Sequence, residues 1–259
     1  MVELDKLKIR EIKELLHDHT LDDQMVQALK QDKRSGVQLL LRQYERIREK
    51  QRQKEEQWTR MNAYENQLRQ QGYKKIAGAD EVGRGPIAGP VVAAAVILPD
   101  DFYLPGLDDS KKLSPQMRAE FYQVIVNEAI AYSVAFADQD VIDQINIYQA
   151  TLQVMRESVR QLDIQPEICL IDGLKVSGLS TEQLAIVGGD HLSVTIAAAS
   201  IIAKVTRDRW MTEAANTYPE YGFERHAGYG TPEHLQAIAE HSPCPLHRKT
   251  FAGVKEWIG

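Results

Sequence analysis

At 259 residues, with 43% hydrophobic and 26% charged side chains, the chain has the length and composition of one large globular domain, or of an average domain with an appendage. Its apolar runs are too short to span a membrane, its charged N-terminus does not read as a signal peptide, and Cys169 and Cys244 lack a metal-ligand spacing, so a reducing cytoplasm is expected. The net charge of −6 is uneven, net basic over the first 75 residues and strongly acidic after them, which argues against bulk coating of nucleic acid but suits a site that collects divalent cations.

Residues 1–71 read as an all-helical extension. Leu4, Leu7, Ile12, Leu15 and Leu16 make a helical stripe, with breaks expected near His17–Thr20 and at Ser35-Gly36. Residues 37–71 read as one long polar helix. Its cations, Arg42, Arg46, Arg48, Lys50, Arg52 and Lys54, alternate with Glu45, Glu49, Glu55 and Glu56. A solvated helix laced with i,i+4 ion pairs is the plain account, and a supplementary grip on nucleic acid the functional one. Gln71-Gly72 marks a boundary, so that 72–259 forms a second domain.

Beyond it, strands alternate with helices. Residues 75–81 and 91–98 are predicted strands, joined by a loop holding Gly83-Arg84-Gly85-Pro86. A loop with Asp109-Ser110-Lys111 leads to Ser114, an N-cap for a helix to about residue 128. Residues 132–137 form a third strand. Val141, Ile145, Tyr148, Leu152, Met155, Val159 and Leu162 then recur at helical spacing, one apolar face that reads as core. Residues 168–172 and 184–187 are further strands. Asp190 reads as the N-cap of a small-residue helix over 194–216, and another helix starts at Pro232.

Apolar segments thus end in carboxylates three times: at Asp80 with Glu81, at Asp172, and at Asp190. In an open α/β sheet, strand ends converge on one edge, where ligands bind. Taken singly, Asp172 reads equally well as a turn residue and Asp190 as a cap. Taken together, converging carboxylates repel unless cations neutralise them, and a pair of divalent ions is the clamp used for phosphodiester hydrolysis. One geometric tension stands: neighbours on a regular strand face opposite ways, so Asp80 and Glu81 cannot both reach one site from ideal geometry.

From about residue 72 onward the chain resembles ribonuclease HII. The matching stretches are Ala79-Asp80-Glu81-Val82-Gly83-Arg84-Gly85-Pro86, Asp109-Ser110-Lys111-Lys112-Leu113-Ser114, Ile171-Asp172-Gly173, Gly189-Asp190, Ile196-Ala197-Ala198-Ala199-Ser200-Ile201, Gly228-Tyr229-Gly230-Thr231 and His247-Arg248. The resemblance implies an α/β, ribonuclease H-like fold: a mixed five-stranded sheet flanked by helices. It also implies that Asp80, Glu81, Asp172 and Asp190 are catalytic and hold two Mg2+ or Mn2+ ions. The expected substrates are RNA/DNA hybrids and DNA duplexes containing ribonucleotides, cut 5′ of the ribonucleotide by a monomer.

In the family the glycine-rich loop and a tyrosine recognise the ribonucleotide, which points here to Gly83, Arg84, Gly85 and Tyr229. Sensing one 2′-hydroxyl is what separates RNA from DNA, and glycines let a backbone approach the sugar. Lys111, Lys204 and Arg207 are candidate phosphate contacts, or plain surface cations. Two positions depart from the family pattern: Gly188 and Ala227 stand where lysines are usual, which implies a weaker phosphate grip. The rival readings are a ribonuclease HIII-like hybrid nuclease, which usually lacks the Gly-Arg-Gly loop, and a non-catalytic nucleic-acid-binding protein on the same fold.

Overall fold

Five segments become strands: β1 (Ile76–Val82), β2 (Val91–Ile97), β3 (Ala131–Ala137), β4 (Ile168–Asp172) and β5 (Glu182–Ile186). In the computed structural model, which describes residues 7–17, 23–173 and 175–258, they form one mixed sheet of order β3-β2-β1-β4-β5. β1 pairs antiparallel with β2 and parallel with β4; β2–β3 is antiparallel and β4–β5 parallel. Every residue of β2 is buried, and its three consecutive alanines explain how helices can lie close on both faces.

The helices are α1 (Ile9–His17), α2 (Asp23–Lys30), α3 (Ser35–Met61), α4 (Ala63–Gln70), α5 (Pro115–Glu128), α6 (Gln139–Arg160), α7 (Val194–Thr217), α8 (Phe223–His226) and α9 (Pro232–His241). On one sheet face, Ala77 and Ala79 of β1 and Cys169 and Ile171 of β4 share a core with Ala150, Val154, Met155 and Val159 of α6. On the other, Ile76, Ile168 and Leu170 pack with Ile196 of α7. A Cβ on Gly78 would lie 2.1 Å from the Thr195 carbonyl carbon, so β1 and α7 meet backbone to backbone there. A side chain would force them apart.

The chain divides into two compact units, 1–57 and 58–259, and the division falls inside α3. The first has its own small core of Ile12, Leu16, Val26, Leu29, Val37, Leu41 and Tyr44. Leu4 and most of the break expected near His17–Thr20 lie outside the described residues. Ser35-Gly36 opens α3 instead of interrupting a helix, and the single helix expected over 37–71 breaks at Asn62.

Two other expectations change. Ser193, not Asp190, caps α7: its hydroxyl accepts from the Ile196 N–H, while Asp190 sits in a preceding 3₁₀ turn, Gly189–His191. α6 is not one continuous stripe. Asn146 kinks it at φ 67, ψ 161, and its Oδ1 then accepts from the Gln149 N–H, starting the helix afresh. The new phase swings Tyr148 out of the core. Among the described residues, no helix is long and apolar enough to cross a membrane.

Candidate active site

Strand alternation explains where the acids go. Ile76, Gly78 and Asp80 share the β1 face toward α7, so Glu81 belongs with Ala77 and Ala79 on the face toward α6. The pair therefore does diverge, as the pleat demands. Asp172 resolves the tension. It ends β4, which runs parallel beside β1 with Ala79 opposite Ile171, and so it borders both acids at the strand ends.

The electrostatics record this convergence. Asp80 is buried, and burial, then Glu81, then Asp172 hold its carboxyl well above the usual carboxylate range. Glu81 is also raised: burial outweighs the opposing Arg84, whose Nη1 lies 3.2 Å from Glu81 Oε1, and Asp172 adds to the rise. Asp190 is raised by burial, then Asp109 and Asp172, against His191 and Lys111. Asp172 Oδ1 accepts a 2.6 Å hydrogen bond from the Gly189 N–H, tying the end of β4 to the turn that carries Asp190. The four predicted acids meet at one edge.

They are not gathered into a finished cage. Among the described residues, the ligand atoms that lie within 4.8 Å of one another belong to Asp109, Asp190 and His191. Asp109 was no more than part of a motif in the sequence. Here Asp109 Oδ1 accepts from the Lys111 N–H, and the Lys111 ammonium lies 3.9 Å from Asp190 Oδ2. Partial burial pulls that ammonium down, but Asp109, Asp190, Asp80 and Asp172 together hold its pKa above the ordinary lysine value. The loop docks through Ser110, whose hydroxyl lies 2.9 Å from that of Ser200 on α7, and the Ser200 hydroxyl lies near enough to Asp80 to oppose the rise of its pKa. Hard carboxylate oxygens that burial and mutual repulsion penalise are a donor set that fits divalent cations.

Beside the acids, the loop after β1 is held by two buried arginines. Arg248 donates from Nη2 to the carbonyls of Gly83 (2.6 Å) and Gly89 (2.8 Å), and from Nη1 to that of Arg84 (3.0 Å). Arg207 donates to the carbonyls of Pro90, Ala88 and Ala227. Burial lowers their pKa values to about 9 and about 10 respectively. Arg207, expected to touch phosphate, is instead fully buried with its guanidinium spent on backbone carbonyls. Gly83 is obligatory at this point. Its φ is +92, and a Cβ would lie 2.3 Å from Arg207 Nε.

Across a trans peptide, C=O and the next N–H point in opposite directions. With the Gly83 and Arg84 carbonyls turned onto Arg248, the amides of Arg84 and Gly85 point away from it. Tyr229 stands against this loop: its Cε1 would be 3.6 Å from a Cβ on Gly85, and the residue is 44% exposed. Lys204 lines the same groove as Tyr229, Arg118 and Arg225, with its ammonium 2.7 Å from Asp208 Oδ1. On the other side, Glu81, Arg84 and Asp172 line a cavity with Tyr148, Thr151 and Met155. The sequence assigned Tyr148 to the core face because the kink at Asn146 leaves no trace in the apolar spacing.

A chain of histidines fixes Tyr229 from behind. The Cys244 N–H donates to His247 Nδ1 (3.0 Å), so His247 carries its proton on Nε2 and donates to His234 Nε2 (3.0 Å). His234 must then donate from Nδ1 to the Tyr229 carbonyl (2.8 Å). Burial depresses both rings to about 4, so the relay is neutral at physiological pH.

Comparisons with known proteins place the chain in a family. The family described as Ribonuclease HII matches residues 77–254, and that described as Ribonuclease HII N-terminal domain matches residues 8–69. A protein of Bacillus cytotoxicus named Ribonuclease HII is 51% identical over 256 residues, spanning 98% of both chains. The ribonuclease H2 of Pyrococcus horikoshii OT3 superposes with a TM-score of 0.63 at 27% identity, over 70% of this chain and 96% of that one. The Bst-RNase HIII in complex with Mn2+ superposes with a TM-score of 0.57 at 20% identity, over 73% of this chain and 70% of its own, a likeness of fold alone.

Proposed function

Because this chain belongs to the ribonuclease HII family and is a type 2 ribonuclease H, we propose that it hydrolyses the phosphodiester 5′ of a ribonucleotide embedded in duplex DNA or in an RNA/DNA hybrid, leaving 3′-hydroxyl and 5′-phosphate ends. The observation that carries this reading is the convergence of Asp80, Glu81, Asp172 and Asp190 on one sheet edge, each facing burial or a neighbouring acid, beside a backbone loop built around Gly83.

Two divalent ions, Mg2+ or Mn2+, held by those four carboxylates would supply charge neutralisation and an activated water at the scissile phosphate. Asp80 and Glu81 reach that phosphate from opposite faces of β1, with Asp172 between them. The amides of Arg84 and Gly85 offer donors to a ribose 2′-hydroxyl, and Gly85 has no side chain to hold the sugar off. Tyr229 presents its ring to the deoxyribose that follows and its hydroxyl as a hydrogen-bond partner. Lys111 and Lys204 meet phosphate oxygens on either side, while Arg207 and Arg248 hold the loop that does the sensing. The catalytic part is taken as residues 72–259. The extension, 1–71, lends it α4, and the enzyme acts as a cytoplasmic monomer.

Nicking assays decide the substrate. A duplex with a single ribonucleotide, incubated with and without Mg2+, is cut 5′ of that residue only when metal is present. Cutting confined to long hybrids would favour a ribonuclease HIII-like specificity instead.

A further inference from the structure

Glu65 belongs to the segment that matches the N-terminal family domain, yet it is fully buried against the start of α7. Its Oε1 accepts three hydrogen bonds: from Ser193 Oγ (2.6 Å), Thr195 Oγ1 (2.8 Å) and the Thr195 N–H (3.0 Å). Its Oε2 is buried with no partner, the single such side-chain atom among the described residues. Leaving a buried acceptor unmade carries a free-energy penalty, so the arrangement calls for a reason.

Capping alone does not provide one. Ser193 already caps α7 through the Ile196 N–H, and Glu65 grips the capping residue itself. What lies on either side of that grip is the proposed metal site. Upstream, the Ser193 and Leu192 N–H groups both donate to the Gly189 carbonyl (2.9 Å each), closing the turn that carries Asp190. Downstream on the same helix, Ser200 meets both Asp80 and Ser110. An axial slide of α7 would therefore displace Asp190 and Ser200 together. At Gly78 the strand offers no side chain to the start of α7, and Ile76 beside it adds only an apolar contact with Ile196, which has no directional preference along the helix axis. The directional hydrogen bonds at this end of α7 come from Glu65.

We propose that Glu65 is that stop: a positioning residue that fixes α7 along its axis and so sets Asp190 relative to Asp80 and Asp172. The inference rests on the reading of Asp190 as a metal ligand. It also means that the extension contributes to the active site through one side chain, with no contact to substrate required of it.

The test uses the full-length chain and Mn2+ alone as probe, by calorimetric titration, with melting curves and single-turnover nicking alongside. In Glu65→Ala the Mn2+ Kd is expected to rise about 10-fold, the low end for residues that support metal ligands, and kcat to fall in step while KM for the duplex stays within about 2-fold. Thr195→Val keeps Glu65 and the side-chain shape but removes one of the three donors, and a rise of about 3-fold is expected. It decides the matter if the alanine variant fails to fold. A lowered Tm with unchanged Mn2+ affinity in every folded variant overturns the inference, since a merely structural role predicts that. A wild-type chain that binds no Mn2+ overturns the metal reading beneath it, which is a separate and recognisable failure.

Discussion

Arg248 Nη2 donates a 2.6 Å hydrogen bond to the carbonyl of Gly83, 165 residues away in sequence. The contact sets the direction of the loop, since the next amide must then face the other way. Lysine cannot reproduce three such bonds from one planar group. Arg248→Lys is expected to destabilise the protein by about 3 kcal/mol, lowering Tm by roughly 10 °C. It should also narrow the ratio of cutting at a ribonucleotide to cutting at an all-DNA control. An unchanged ratio would separate the loop from sugar recognition.

A second expectation concerns the metal-free protein. Burial, Glu81 and Asp172 hold the Asp80 carboxyl above its ordinary pKa, so its ionised form is disfavoured on folding. Its contribution to stability is therefore full below the unfolded pKa, near 3.8, and is lost as pH rises toward the raised folded value. Asp80→Asn removes this loss. At pH 7.5 in chelator, the variant should melt about 2–4 °C above wild type, the shift expected for about 1 kcal/mol in a chain of this size. Added Mg2+ should raise the wild-type Tm and narrow the gap. A variant that melts lower in chelator would mean that Asp80 is not under strain.

The histidine relay behind Tyr229 has the opposite dependence on pH. His234 and His247 fall to about 4 in the folded chain, against an ordinary 6.5. The unfolded chain therefore binds more protons between those values, and stability present above about 6.5 is lost as pH falls toward 4. Each ring contributes a slope of up to about 1.4 kcal/mol per pH unit in that window. His234→Gln should flatten the difference in Tm between pH 6.5 and pH 4.5. Parallel curves for variant and wild type would contradict the neutral relay.

Much of this was legible beforehand, and the failures have a common cause. The β4 strand ends at Asp172 and Ser114 caps α5 as local pattern and capping chemistry require. Arg207 misled because a basic side chain on a helix looks alike whether it meets phosphate or three carbonyls brought from residues 88, 90 and 227. Asp109, Arg248 and Glu65 gained their roles from partners at least 81 positions away (Asp109 to Asp190), and helical or strand periodicity does not encode such pairings. Asp190 gave way as a cap because Ser193, three residues later, has the better geometry.

The extension offers a clean dissection, because the compact units part at 57/58 and Glu65 lies beyond that point. Deleting residues 1–57 should leave a folded, Mn2+-binding enzyme, whereas deletion through residue 70 takes Glu65 with it and should weaken Mn2+ binding. If the basic side chains of α3 also grip phosphate, the shorter deletion raises KM and reduces the slope of log KM against log salt. An unchanged slope removes that role from α3.

The most direct measurement places one ribonucleotide in a DNA duplex and maps the cut by wild type and Asp80→Asn in Mg2+. The account predicts a single nick immediately 5′ of the ribonucleotide, with a 3′-hydroxyl left behind, and a loss of at least about 100-fold in the variant. An intact duplex with wild-type enzyme, or undiminished nicking by Asp80→Asn, would contradict it.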